Sequence, residues 1–303
     1  MSGTFDGSGL PPQAIARIER ARASHVASSL LSVNGQVGVD LCGLDPVGEV
    51  MGCIVEHIGY SGYGGCGWNG YGYAPSGTIT SGSGGSSSWA GFGPYADALY
   101  RGYDTAIVRM LTEARELGGD GVVGVALTEN PLGQDNREFM ALGTAVRSNG
   151  RSHLKRPFAT TLPGQDVAKL MRGGWAPAGI VVGISVGVRH DDYQTRLAAR
   201  SMMTNAEVPG YTELLNDVRS DARRQLARRV SGTGAEGVIL SEPMRTSVYE
   251  IEPGEGHVDH IGVAWVVGTA IARFDAAADF AKAGPKIPMV LALSGPRAVR
   301  TGK

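Results

Sequence analysis

The sequence is poor in several features that mark particular classes of protein. Its 303 residues contain three cysteines, Cys42, Cys53 and Cys66. So small and odd a number in a long chain does not form a disulfide framework and suits a reducing cytoplasm. The formal net charge is −1, so no overall basic field attracts nucleic acid or anionic lipid. We therefore expect a cytoplasmic protein without a nucleic-acid partner.

Long apolar runs and catalytic motifs are also missing. No run is long enough to span a bilayer, and the polar, glycine-rich start, 1–10, lacks the pattern of a signal peptide. The chain has no CxxC, no HExxH and no Walker loop, and no Gly-x-Ser-x-Gly elbow joins a strand to a helix. These absences favour a protein that is not an enzyme.

Glycine is the residue in excess, with 46 copies, and much of the excess lies in 59–94. This segment also carries tyrosine and tryptophan side chains spaced by glycine and serine. Such a composition cannot build a compact core and predicts a long flexible insertion. Two interpretations stay open, a tolerated surface loop and a contact surface for a protein partner or for self-association.

One pattern occurs twice along the chain: a helix end, a glycine turn, a strand, a hairpin and a closing strand with Gly-Thr-Ala. Internal repetition predicts two similar structural units. We expect the acidic residue in each turn to accept backbone N–H bonds rather than to act as an acid or base. The motif residues are Gly118, Asp120, Gly121, Gly143 and Thr144 in the first copy, and Gly234, Glu236, Gly237, Gly268 and Thr269 in the second.

Hydrophobic periodicity and turn residues predict the elements around these motifs. Helices are expected from Pro11-Pro12 onward, at about 95–117 and at about 211–230. Strands are expected at 37–41, 47–55, 122–127, 138–147 and 178–184, with loops at 190–192 and 243–256.

The polar stretch 148–156 is the predicted domain boundary. The N-terminal helix is expected to pack on the first domain, with a partner-binding or membrane-surface helix as the alternative. The predicted divisions are 1–29 (tail and helix), 30–148 (first domain, with the insertion 59–94), 158–274 (second domain) and 275–303 (C-terminal tail).

The closing strands are apolar on both faces, and one helix per unit covers only one face of a small sheet. The other face therefore needs the sister unit or a neighbouring subunit. Gly143 and Gly268 in mid-strand also indicate the close approach of another backbone. We expect the two units to pack on each other or to assemble into a ring.

The order of these motifs resembles the YbjQ family of small bacterial proteins, which carries a heavy-metal-binding label. The resemblance covers most of 30–148 and 158–274. It implies an α+β fold, two tandem copies and a ring-like, pentameric assembly of domains, with a divalent or heavy metal as ligand. The matching stretches are 118–124 with 143–146, more loosely 234–239 with 268–271, and Gly164-Gln165 at the start of the second copy.

The best local cluster of metal-ligating residue types is His257, Asp259 and His260. On a strand His257 and Asp259 share one face, while His260 points away. The cluster follows a glycine turn and begins a strand, so a solvated strand end is the competing interpretation. These three residues are the candidate metal ligands.

The second long helix carries a basic face. A solvated or inter-subunit salt-bridging face is the first interpretation, and anion binding is the second. Its members are Arg219, Arg223, Arg224, Arg228 and Arg229.

Three functional hypotheses follow. The first is a non-enzymatic, homo-oligomeric binding or scaffold protein of the YbjQ type with a divalent metal ligand. The second is a partner-binding or self-assembly module that acts through 59–94. The third is an enzyme whose site lies between subunits.

Overall fold

The computed structural model describes residues 5, 7, 9–24, 28–58, 78–81, 92–133, 136–150, 156–190, 192–199, 205, 207–254 and 257–273. The predictions for most of the insertion, and those for the tail 275–303, lie outside these residues.

The described residues form two sheets and six helices, which confirms the predicted α+β class. The helices are α1 (Pro12–Ser24), α2 (Val33–Leu41), α3 (Phe92–Glu116), α4 (Gly164–Arg172), α5 (Tyr193–Ala199) and α6 (Pro209–Thr233). The strands are β1 (Leu44–His57), β2 (Thr78–Thr80), β3 (Gly121–Leu132), β4 (Asn136–Ser148), β5 (Phe158–Ala159), β6 (Trp175–His190), β7 (Gly237–Leu240), β8 (Arg245–Gly254) and β9 (His257–Arg273).

The first sheet has the strand order β1-β4-β3-β5. Strands β1, β4 and β3 are antiparallel neighbours, with Gly143 of β4 opposite Val50 of β1. Strand β5 joins the free edge of β3 in parallel, with Gly121 opposite Phe158 and Val122 opposite Ala159. Because β5 comes from the start of the second predicted domain, it ties the two parts of the chain together.

The second sheet has the order β2-β6-β9-β7, and β8 also pairs with β9. Strands β7 and β8 follow one another along the same edge of β9. Strand β2 comes from the predicted insertion and pairs with the end of β6, with Ile79 opposite Val188. Each sheet thus receives one short strand from the other part of the chain.

Helix α3 packs on β1 and β4 of the first sheet and also contacts β6 of the second. A single core cluster contains Met110 of α3, Phe139 of β4, and Ile184 and Ile261 of the second sheet. The second apolar face expected to need a partner is therefore covered within the chain. This finding supports packing of the two units on each other. It does not bear on assembly into a ring.

Helix α6 covers the opposite face of the second sheet through Leu214, Val218, Ala222 and Leu226. Strand glycines lie under both long helices. A Cβ on Gly52 would meet the Ala106 carbonyl at 1.9 Å, and a Cβ on Gly183 would meet the Ala222 carbonyl at 2.3 Å. Both positions thus require glycine for the close approach of helix and strand.

The strand predicted at 37–41 is wrong, because these residues lie in α2. The Ser32 side chain caps the helix by accepting a hydrogen bond from the Gly35 N–H at 3.0 Å. Gly38 then lets α2 approach α4, since a Cβ there would lie 2.5 Å from the Gln165 backbone. Tertiary packing of two short helices overrides the alternating pattern of the sequence.

The loops predicted at 243–256 and within 59–94 are wrong in part. Residues 245–254 form β8 along β9, and residues 78–80 form β2. Helix α5 was not predicted; it begins after Asp192, whose carboxylate accepts the Thr195 N–H at 2.6 Å. Both missed strands are edge strands, whose pairing with a long central neighbour stabilises polar sequences.

The order short helix, long strand, long helix, strand and closing strand occurs in both halves of the chain. We call two residues counterparts when they hold the same place relative to the start of the short helix (Val33 in α2, Gly164 in α4), Gly52/Gly183, the glycine turn or the Gly-Thr-Ala motif.

Candidate functional site

The motif residues of the two turns hold the closing strands in place. Asp120 Oδ2 accepts the Ser148 N–H at 2.8 Å, and its counterpart Glu236 accepts the Arg273 N–H through Oε1 at 3.1 Å. The helices before these turns are followed by glycines in the left-handed region, Gly118 at φ 75° and Gly234 at φ 73°. The acidic residues are thus backbone acceptors, although their partners lie on the closing strands and not within the turns.

The two threonines of the Gly-Thr-Ala motifs are also backbone acceptors. Thr144 Oγ1 accepts the Leu30 N–H at 3.0 Å, and Thr269 Oγ1 accepts the Thr161 N–H at 3.1 Å. Each hydroxyl therefore fastens the segment before a short helix onto a sheet.

The predicted metal cluster divides between two faces of β9. Asp259 is fully buried and pairs with His190 of β6, with 3.0 Å between Oδ1 and Nδ1. His260 faces α6, where its ring lies 4.3 Å from that of Tyr211, and its Nε2 lies 3.0 Å from Glu250 Oε1. The two side chains therefore do not converge, as the strand alternation of the sequence indicates.

Within the part of the chain described here, no group of three His, Cys, Asp or Glu side chains is placed to hold a metal ion. For His257 the structure describes the backbone in β9 and not the side chain. The metal site at His257, Asp259 and His260 stays a prediction, and the separation of Asp259 from His260 gives it no support.

The arginines of α6 have different surroundings. Arg224 pairs with the buried Asp221 of the same helix at 3.2 Å, and Arg219 Nη2 lies 3.3 Å from Thr246 Oγ1. Arg229 bridges to the other half, 2.5 Å from Asp104 of α3. Arg223 and Arg228 are exposed. The basic face is therefore partly a contact between halves and partly a surface open to a partner.

A cleft lies between the two sheets beside α3, with cavities of about 170 and about 80 Å³ that share Tyr103 and Trp265. Glu129 Oε2 accepts from the Tyr103 hydroxyl at 3.3 Å, and Glu129 also pairs with Arg137. Burial raises the pKa of the Tyr103 phenol. The charged groups of this cleft neutralise one another, so their arrangement is that of a structural network.

The contact between the halves has a defined side-chain joint. The Tyr100 hydroxyl of α3 lies 2.7 Å from the Ile184 N and 3.1 Å from its carbonyl oxygen, on the outer edge of β6. The Arg229 guanidinium lies over the Tyr100 ring at 4.5 Å and pairs with Asp104. One helix of the first half thus closes the strand edge of the second half.

The second half also inserts backbone into the first. The Gly124 N–H donates to the Leu162 carbonyl and the Val125 N–H to the Thr160 carbonyl, both at 3.0 Å. Leu162 is 6% exposed and packs in a cluster with Val123 and Val146 of the first sheet. The segment 158–162 is therefore a strand and an apolar anchor added to the edge of β3.

The counterparts of this joint lie open at the two ends of the described fold. Val33, the first residue of α2, is 82% exposed, and Val37 and Leu41 continue the same exposed stripe along the helix. Strand β7, which corresponds to the start of β3, has no described strand on its outer edge, and Leu240 at its end is exposed. The two open surfaces match the two sides of the joint already formed within the chain.

The N-terminal helix covers the edge of β1, as predicted for a helix that packs on the first domain. Arg17 contacts the buried Glu113 of α3 and its Nη2 lies 3.3 Å from the Met51 carbonyl oxygen, while Glu113 accepts the Met51 N–H at 3.2 Å. Arg109 donates to the Cys53 carbonyl at 2.7 Å. This joint leaves no signal in the sequence, because Arg17 and Glu113 are distant in sequence and each stands among other charged residues.

The fold and its joint define an α+β protein whose two halves are linked by strand addition and helix docking. Encapsulin nanocompartment protein Rv1762c of Mycobacterium tuberculosis is 30% identical to the chain over 243 residues, which is 78% of this chain and 83% of that protein. The chain belongs to the family of this mycobacterial protein.

Shorter similarities concern the first half. The family model YbjQ_1, described as "Putative heavy-metal-binding", matches residues 79–149, which contain α3, β3 and β4. A UPF0145 protein of Psychromonas ingrahamii is 40% identical over 53 residues, 18% of this chain and 50% of that protein. A UPF0145 protein of Hahella chejuensis is 32% identical over 79 residues, 26% of this chain and 68% of that protein. The resemblance to YbjQ is confirmed for one copy, and a second tandem copy stays a prediction.

None of the helices that the structure describes has the length and apolar character needed to cross a membrane.

Proposed function

We propose that this protein is a non-enzymatic subunit of a homo-oligomeric scaffold, assembled head to tail from chains that each contain two YbjQ-like units. The units correspond to 30–148 and 158–274. Within the chain, the segment before α4 in the second half adds to the edge of the first sheet. In this proposal the segment before α2 of the next copy adds in the same way to the edge of the second sheet. A heterologous contact of this kind closes into a ring when its rotation permits, and the resemblance implies a pentamer.

The observation that carries the proposal is an exposed apolar row at one end of the described fold, with Val33 at 82%, Val37 at 53% and Leu41 at 52% exposure. Val33 begins a stripe with Val37 and Leu41 on a short helix that otherwise uses Gly35 and Gly38 to contact α4. An exposed row of three large apolar side chains is typical of a surface that a partner covers.

The strand edges support the same arrangement. Residues 28–31 precede α2 as a largely exposed segment, just as the segment that contains β5 precedes α4. The outer edge of β7 corresponds to the edge of β3 that β5 occupies. Addition of 29–30 from one copy to β7 of another satisfies backbone groups that an edge strand leaves unpaired.

The printed name of the mycobacterial relative, a nanocompartment protein, also favours a role in an assembly. The YbjQ_1 description supports heavy-metal binding only through its label, and partner binding through 59–94 rests on composition. Both stay predictions. The cleft between the sheets is lined by mutually paired charges, so it does not favour an enzyme.

Disulfide cross-linking between copies tests the proposed contact. Gly121 and Phe158 are register partners; Gly237 is the counterpart of Gly121, and Ser29 lies in the segment before α2, which corresponds to the segment before α4 that contains Phe158. We therefore place Ser29→Cys in one preparation and Gly237→Cys in another, each in a background with Cys42, Cys53 and Cys66 replaced by serine. Mild oxidation of the mixture is expected to give a covalent dimer of one chain of each kind.

The matched control mixes Ser29→Cys with Val248→Cys, which lies exposed on β8 away from the β7 edge. Equal yields in the two mixtures would mean that the cross-link reports random collision, and would contradict the contact. A protein that is monomeric at every concentration and gives no cross-link would contradict the scaffold function itself.

A further inference from the structure

We propose that α1 covers a docking site for α6 of a second copy at the edge of β1, so that head-to-tail assembly requires α1 to leave. The inference rests on the proposed scaffold function and adds a regulated surface to it. The partner is a second copy of this chain, and the element that competes with that partner belongs to the chain itself.

We locate the docking site on β1 by comparison with the equivalent strand edge of the second half, which a helix covers. On the outer edge of β6, the backbone of Ile184 is closed by Tyr100 of α3, a helix of the preceding half. The counterpart of Ile184 on β1 is Cys53, whose carbonyl accepts from Arg109. Helix α1 lies along this same edge, where Ala14 and Arg17 border a cavity of about 200 Å³ together with Met51 and Cys53. The edge of β1 is therefore covered by a helix, as the edge of β6 is covered by α3, but here the covering helix is α1.

The ion pairs of the two sites are at the same place. Arg229 of α6 and Glu113 of α3 are counterparts relative to the glycines that follow their helices, Gly234 and Gly118. Arg229 pairs with Asp104 of α3 at 2.5 Å, across the two halves. Glu113 pairs with Arg17 of α1 at 2.6 Å. Helix α1 therefore contacts the first half at the position where α3 contacts the second half. The charges are exchanged, because the covering helix supplies the arginine in the first case and the carboxylate in the second.

In a head-to-tail pair of chains, this place belongs to α6 of the neighbouring copy, the counterpart of α3. Its charge is suitable. The counterparts of Asp104 and Ile107 are Ser220 and Arg223, and Arg223 is exposed. Helix α6 therefore presents an arginine within about one turn of the position that faces Glu113. Arg17 of α1 and Arg223 of α6 compete for the buried carboxylate of Glu113, so the two helices cannot occupy the edge of β1 together.

The cover is small enough to be displaced. The described part of α1 buries two apolar side chains, Ala14 and Ile18, and leaves Ile15 at 47% exposure. Before the helix, the Gly7 carbonyl accepts from Arg109 at 2.7 Å, and Phe5 lies 5.4 Å from the same guanidinium. A contact of this size is smaller than the joint between the halves, which includes strand addition and a shared core. A neighbouring copy offers the larger surface.

The test compares two substitutions on α1 in the full-length chain. Ile18→Asp removes a side chain that is 4% exposed and unseats the helix, whereas Ile15→Asp changes the exposed face. Sedimentation velocity over a concentration series measures self-association. We expect Ile18→Asp to tighten self-association about tenfold, because the apparent affinity rises with the fraction of molecules that are competent to bind. Ile15→Asp is expected to match the unsubstituted chain.

A second substitution separates specific docking from the stickiness of an uncovered surface. Arg223→Glu in the Ile18→Asp background places an acid against Glu113 and is expected to remove the gain, while general aggregation would persist. Self-association that is unchanged in Ile18→Asp overturns the covering role of α1, even if the Ser29–Gly237 cross-link forms and the scaffold function stands. A gain that Arg223→Glu leaves intact overturns the assignment of α6. A Ser29–Gly237 cross-link that forms in the original chain and increases with Ile18→Asp supports both proposals.

Discussion

Arg17 and Glu113 join the first helix of the fold to its central helix through a two-pronged ion pair. Arg17 Nε donates to Glu113 Oε1 at 2.7 Å, and Nη2 donates to Oε2 at 2.6 Å. Glu113 is fully buried, and its hydrogen bonding raises the pKa of Arg17 above the usual value. Because Glu113 also accepts the Met51 N–H, this carboxylate links α1, α3 and the edge of β1.

Arg17→Met is expected to lower the free energy of unfolding by about 1–3 kcal/mol, because it leaves the Glu113 carboxylate buried without its cation. Urea unfolding followed by circular dichroism measures the change. The control is Arg22→Met on the same helix, whose partner Glu116 is exposed; its effect should stay within about 1 kcal/mol. Equal effects of the two substitutions would contradict the importance of the buried pair.

Tyr100→Phe is expected to lower the free energy of unfolding by about 1–3 kcal/mol, since the Ile184 backbone loses its hydroxyl partner. Tyr193→Phe, at an exposed tyrosine, is the control and should be neutral. A Tyr100→Phe chain as stable as the original would show that the hydroxyl bridge between the halves contributes nothing.

The same tyrosine predicts a dependence on alkaline pH. Burial raises the pKa of Tyr100 in the folded chain, whereas an unfolded tyrosine ionises near pH ~10. Its contribution to stability is therefore complete below pH ~10 and is lost as the pH rises through the higher folded value. Urea unfolding from about pH 9 upward should show a shallower decline for Tyr100→Phe than for the original chain.

Asp192 predicts a change at the acid end. The N–H of Thr195 holds the pKa of this carboxyl below its usual value, and the side chain caps α5. The stabilisation is present above pH ~4, the unfolded value, and is lost as the pH falls through the lowered folded value. The protection factor of the Thr195 amide, which compares the measured exchange with the intrinsic rate at each pH, should therefore fall on acidification. Asp192→Asn should weaken that pH response, and an unaltered response would assign it to another group.

Much of the fold was predictable because its strongest signals are local. The periodicity of α3 and α6 and the glycine turns at Gly118 and Gly234 predicted two long helices and the strands after them. Local signals fail where pairing with a distant strand decides the structure. Residues 245–254 are polar and read as a loop, yet β9 offers them a long edge to pair with.

The surfaces of the candidate site were less predictable than the elements. Alternation in Val37–Leu41 favoured a strand, and only the packing of Gly38 on α4 shows that Val33, Val37 and Leu41 form an exposed helical stripe. For the metal cluster, strand alternation correctly placed His260 away from Asp259. The partners that occupy each side chain, His190 and Glu250, come from neighbouring strands and carry no signal near 257–260.

Native mass spectrometry of the full-length chain and of Val33→Asp tests head-to-tail assembly most directly. The account predicts a multiple of the chain mass for the original protein. It predicts a shift toward monomer for Val33→Asp, because a carboxylate replaces the most exposed apolar side chain of the row on α2. Val248→Asp, outside the contact, should assemble like the original. A monomeric original, or an assembly that Val33→Asp leaves intact, would contradict the account.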